Sequence, residues 1–156
     1  MKTEILSLRV SRRAIGAAIL RSEGLTLSDG RHLPSTPTRA LSAVTRYLER
    51  LASPSITAVV VDSPARGVSA TTDRLLDNIS AVLSSKRLPS LVIGKNDVLT
   101  AYALPALRTR GEVRSVVAGY WPELGRIASR AKPYIVDAAA AALYAECRLA
   151  LSPAPT

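Results

Sequence analysis

The chain has 156 residues, 47% of them hydrophobic and 21% charged, a globular composition that excludes a disordered or fibrous class and suits one domain over residues 1–151 with a frayed tail at 152–156. Arginine and lysine number 21 against 12 acids, for a net charge of +9. A polyanionic partner, nucleic acid first, is therefore expected, with a mere arginine bias in composition as the alternative.

A lone Cys147 and a lone His32 exclude an intrachain disulfide, a cysteine-cluster zinc site and histidine-based triads. The apolar runs are strand-sized, and the alanine-rich stretch from Ala138 to Ala142 soon meets Glu146 and Arg148, so no membrane partner is expected. Lys2 and Glu4 lead into an amphipathic run that meets Arg9, Arg12 and Arg13, which is no leader pattern, and the expected location is the cytoplasm.

Ile5 to Val10 and Ala14 to Leu20 read as two apolar strands joined by a short basic turn, the second entered through Gly16. Glu23-Gly24 turns the chain into a third short strand, Leu25 to Ser28, and Asp29-Gly30 and Pro34 punctuate again. The result is an antiparallel meander. Thr36 and Pro37 form a helix start, and Leu41, Val44, Leu48 and Leu51 follow at helical spacing.

Ile56 to Val61 is the clearest strand, a β-branched run stopping at Asp62-Ser63-Pro64, and its apolarity marks a central parallel strand. Thr72 is the expected cap of a helix over Asp73 to Ser85, and Leu91 to Ile93 forms a short strand. Helical stretches are expected from Asn96 to Tyr102, from Glu112 to Ala118, and in a last helix reaching Leu151. This order of strands and helices predicts an α/β fold. A mixed five-stranded sheet, the meander extended by parallel strands, would carry helices on both faces.

Phosphate-loop and nucleophile-elbow patterns are absent, and His32 reads as a surface residue in a turn. Tyr120-Trp121, the one adjacent aromatic pair, suits either a base-stacking surface or a loop anchored in the core.

Ile5-Leu6-Ser7-Leu8-Arg9-Val10-Ser11-Arg12 followed by Ile15-Gly16, the run Val59-Val60-Val61-Asp62, and Asp137-Ala138-Ala139-Ala140-Ala141-Ala142-Leu143 together resemble the RuvC-type Holliday junction resolvases. Leu88-Pro89 and Arg110-Gly111-Glu112-Val113 add to the likeness, which spans nearly the whole chain. The resemblance implies an RNase H-like fold, a homodimer formed through the helical face, and a site of four metal-binding carboxylates at Arg9, Asp62, Asp137 and Ala140. Only Asp62 and Asp137 are acids, so the site reads as degenerate and no metal cofactor is expected.

Arg9 is expected to pair with Asp62 or Asp137 in the metal's place. As alternatives, Asp62 suits a turn after its strand, and Asp137 suits a helix N-cap. The resemblance further implies a basic DNA-binding rim at Arg12, Arg13, Arg66, Lys95, Arg108, Arg110 and Arg114; solvated surface arginines are the other reading.

The expected function is a non-cleaving module that binds branched or duplex nucleic acid, a protein partner or its own copy. One alternative is a surviving endonuclease in which Asp62 and Asp137, with an acid such as Glu146, hold Mg²⁺. The other is a structural subunit without nucleic acid contact.

Overall fold

Six residues from Ile5 to Val10 form strand β1, in which every residue but Arg9 is buried. A strand so apolar on both faces must lie inside a sheet. The computed structural model, which describes residues 3–101 and 109–151, places it there. β1 pairs antiparallel with β2 (Ala14–Arg21) on one side and parallel with β4 (Ala58–Asp62) on the other. β3 (Gly24–His32) and β5 (Ser90–Ile93) complete a sheet of order β3-β2-β1-β4-β5. The mixed five-stranded α/β sheet and its meander are as the sequence led us to expect.

Alternation along the strands sorts side chains onto two faces. Leu6, Leu8, Val10, Ile15, Val59 and Val61 pack beneath α1 (Pro37–Leu51) and α2 (Ala70–Ser85). Ile5, Ala18, Val60 and Ile93 face the other way, toward α3 (Lys95–Ala101), α4 (Arg110–Tyr120) and α5 (Lys132–Leu151). A short 3-10 turn, Pro122–Arg126, lies between α4 and α5. No helix among the described residues is long and apolar enough to cross a membrane.

Local structure departs from the sequence reading in several places, α4 among them, which runs two residues further at each end than Glu112 to Ala118. β3 runs on to His32, because Asp29 and Gly30 pair with Ala17 and Gly16 instead of turning; His32 is thus an exposed strand end. Ser69 caps α2, its hydroxyl accepting from the Thr72 amide at 3.3 Å, so Thr72 is a buried helical residue. β4 starts at Ala58, two residues later than Ile56. Finally, α5 begins at Lys132, which places Asp137 beyond the first turn and rules out its reading as an N-cap.

Two paired glycines position that last helix. A Cβ on Gly16 would sit 2.1 Å from the Tyr134 carbonyl oxygen, and one on Gly30 would sit 2.7 Å from the Ile135 side chain. α5 therefore rests directly on the β2 and β3 backbones. Ala138 to Ala142, all buried, keep it close along its length.

Candidate functional site

Register fixes where the chemistry lies. Arg9 pairs across the sheet with Gly16 on β2 and Asp62 on β4, so its side chain and that of Asp62 emerge side by side toward α4 and α5. Asp137 comes down from α5. The sheet thus gathers Arg9, Asp62 and Asp137 at the carboxyl ends of the two central strands, where open α/β sheets place their ligands.

α4 supplies the other partners. Arg110 and Arg114, one turn apart on the side that also buries Val113 and Val117, reach inward. Arg110 grips Asp62 with both arms, Nη1 donating to Oδ2 at 2.7 Å and Nη2 to Oδ1 at 2.8 Å. Arg114 grips Asp137 likewise, Nε to Oδ1 at 2.8 Å and Nη2 to Oδ2 at 2.9 Å. Arg9 lies between them. Its Nε donates to Asp137 Oδ2 at 3.3 Å and stands 4.0 Å from Asp62 Oδ2, while Nη1 donates to the Val10 carbonyl at 2.7 Å. The Tyr134 ring, 5.9 Å from the Arg9 guanidinium carbon, covers one side.

Burial makes this cluster strong. The Asp62 side chain is 0% exposed and that of Asp137 2%, whereas Arg9, Arg110 and Arg114 are 11%, 15% and 35% exposed. Burial alone would lower the Arg110 pKa, but its hydrogen bonds to Asp62 and the charges of Asp62 and Asp137 hold it above the ordinary arginine value. Arg114 is also raised, first by its hydrogen bonds to Asp137, against burial and the nearby Arg110 charge.

The donor set can be tested against the two Mg²⁺ ions that a resolvase-type site implies. All four oxygens of Asp62 and Asp137 already accept from guanidinium N–H groups, and three cations surround two anions. A unit charge about 4 Å from a like charge is repelled by roughly 4 kcal/mol at a near-surface dielectric, and a divalent ion by twice that. Ala140, at the remaining expected acid position, is buried in the core against α5's neighbours. The residues present do not fit a pair of divalent cations. Glu146 does not complete the set: it is exposed, and nine helical residues put it about 13 Å along the axis from Asp137. No three Asp, Glu, His or Cys side chains among the described residues form a metal-binding group.

The expected basic rim is only partly assembled. Arg110 and Arg114 are correctly placed at this end of the sheet but turn inward to the acids, because two buried carboxylates need more charge than Arg9 supplies. Arg66 and Lys95 share a cavity of about 510 Å³ with Arg110, beyond the ends of β4 and β5. Arg66 also forms an exposed ion pair with Asp77 at 2.9 Å. Arg12 and Arg13 are exposed in the β1–β2 turn, and Arg108 lies outside the described residues. The aromatic pair divides: Trp121 is buried in the core, and Tyr120, edge-on to it at 4.8 Å, is 64% exposed.

RuvC from Thermus thermophilus superposes on this chain with a TM-score of 0.73 at 19% identity, covering 96% of this chain and 97% of that one. The fold is that of RuvC. The T. thermophilus RuvC complex with Holliday junction substrate matches at TM-score 0.66 and 17% identity, over 94% of this chain and 96% of that one. A ROK family protein from Streptococcus pneumoniae TIGR4, solved with sucrose, matches at TM-score 0.50 and 18% identity over 65% of this chain and 38% of its own. No protein-family model matches the sequence, and neither does any curated protein. The likeness in fold extends over nearly the whole chain.

Proposed function

We propose that this chain is a RuvC-fold protein that binds branched or duplex nucleic acid without cutting it, acting as a homodimer. The observation that carries this reading is the occupation of all four oxygens of Asp62 and Asp137 by Arg9, Arg110 and Arg114. The guanidiniums neutralise the acids from within, and the cluster keeps one excess positive charge. That excess charge, with the exposed Arg12 and Arg13 in the neighbouring turn, would attract a backbone phosphate electrostatically, with no activated water to attack it. The net charge of +9 supports a polyanionic partner.

The test is a labelled four-way junction assayed for binding and cleavage with Mg²⁺ and Mn²⁺. Binding is expected, with affinity falling more than about tenfold between about 50 and about 200 mM salt, and no cut product. Arg9→Asp is expected to leave the junction intact too, since Arg110 and Arg114 still hold the other acids and Ala140 adds none. Robust cutting by that variant would show the site to be misassigned, and metal-dependent cutting by the wild type that Asp62→Asn abolishes would establish a nuclease. Absence of binding at low salt, with a stable protein partner co-purifying, would replace the reading with a structural subunit.

A further inference from the structure

On the opposite face of the sheet, between α1 and the end of β3, lies a second basic feature. A cavity of about 440 Å³ is lined by Arg31, His32, Arg46, Tyr47 and Arg50 among others, and by no acidic side chain. That volume lies in the range of small-molecule sites, roughly 300 to 1,000 Å³.

The arginines are organised around one ring. Arg46 and Arg50 stand one turn apart on α1, and Arg31 approaches from β3. The guanidinium carbons of Arg31 and Arg50 each lie 5.3 Å from the centroid of Tyr47, a core residue 5% exposed. Stacking on an aromatic holds a guanidinium fork in place, so less freedom is lost when it grips a ligand. Burial, with the Asp29 carboxylate nearby, pushes the Tyr47 phenol well above its ordinary pKa, so the ring stays neutral. Arg50 is tied to Asp29 at 3.3 Å, but Arg46 forms no ion pair among the described residues. With Arg50 paired to Asp29, Arg31 and Arg46 are the two cations on this concavity that form no ion pair among the described residues, and an anion bound between them relieves their mutual repulsion.

We propose that this cavity is a phosphate-binding site, taking the phosphate group of a free nucleotide or of a nucleic-acid strand. Planar forks in this number match the tetrahedral oxygens of phosphate, each able to give two parallel N–H···O bonds. The site stands on different residues and a different face from the Asp62–Asp137 cluster and does not depend on it.

Two probes separate the sources: adenosine monophosphate by calorimetry, and a short labelled single-stranded oligonucleotide by fluorescence anisotropy. Wild-type protein is expected to bind at least one, and Arg31→Ala/Arg46→Ala to weaken that binding by about tenfold or more. Arg46→Ala alone removes an exposed side chain without an ion pair, so it keeps the comparison interpretable if the double variant folds poorly. Arg46→Lys is expected to fall between, since lysine keeps the charge but loses the fork. Nucleotide binding that the double variant loses supports the cavity even if no junction is bound. A strand bound equally by wild type and double variant overturns the cavity and leaves the non-cleaving reading intact. Failure of wild type to bind either probe overturns it as well.

Discussion

Gly16→Ala is expected to lower the melting temperature by on the order of 10 °C, the consequence of losing about 3 kcal/mol or more. The added Cβ would stand 2.1 Å from the Tyr134 carbonyl oxygen, 2.2 Å from its carbon and 2.7 Å from the Ile135 nitrogen. All three are backbone atoms, so no rotamer change relieves the contact. α5 would have to lift by roughly 1 Å to restore van der Waals distance, opening the interface that Ala138 to Ala142 seal. The same lift would draw Asp137 away from Arg9, which pairs with Gly16 across the sheet. Gly119→Ala is the matched control: its Cβ meets nothing within 4 Å on the exposed side of α4, and helix propensity should raise stability by about 0.5 kcal/mol. Thermal melts of the two variants check both signs. A Gly16→Ala protein that melts with the wild type would mean that α5 is not seated on β2 as described.

The sequence made the sheet readable because its strands are unusually apolar and well punctuated. Ile5 to Val10 and the valines before Asp62 are too short and too apolar for a surface helix, and the turns between the first three strands are short. Glycine carried the misleading signal. Asp29-Gly30 looks like a turn, yet Gly30 continues β3 because α5 needs a position without a side chain, a demand set by a helix about a hundred residues away in the chain. The cluster was half legible for a related reason. Arg9 and Asp62 stand at the ends of strands and Asp137 opens the alanine run of the last helix, where pattern and resemblance converge. Arg110 and Arg114 read as part of a DNA-binding rim or as surface charge, since nothing local announces partners 48 and 23 residues distant. Their spacing of four beside Val113 and Val117 was the available clue, for it puts both arginines on the side of α4 that faces the core.

Arg110→Ala is expected to destabilise the protein by on the order of 3 to 5 kcal/mol, the range for stranding one member of a buried pair. Asp62 is 0% exposed and receives two of its hydrogen bonds from Arg110; its next cation, Arg9 Nε, is 4.0 Å away and already committed to Asp137. Arg114→Ala should cost less, about 1 to 2 kcal/mol, because Arg114 is 35% exposed and Arg9 still serves Asp137 at 3.3 Å. The Arg110 pKa is raised in the fold, so its contribution is fully present below the ordinary arginine value and is lost only as pH climbs through the higher folded one. The deficit of Arg110→Ala should accordingly be unchanged from neutral pH to about pH 10, where arginine remains charged. The decisive measurement is a denaturant titration of Arg110→Ala, Asp62→Ala and the double variant. If Arg110 serves to compensate a buried carboxylate, removing that carboxylate as well should return more than half of the loss, since no unpaired charge is left behind. Additive losses would mean instead that the two side chains stabilise the fold separately, and that the bidentate contact between them is not what compensates the buried Asp62 side chain at the end of β4.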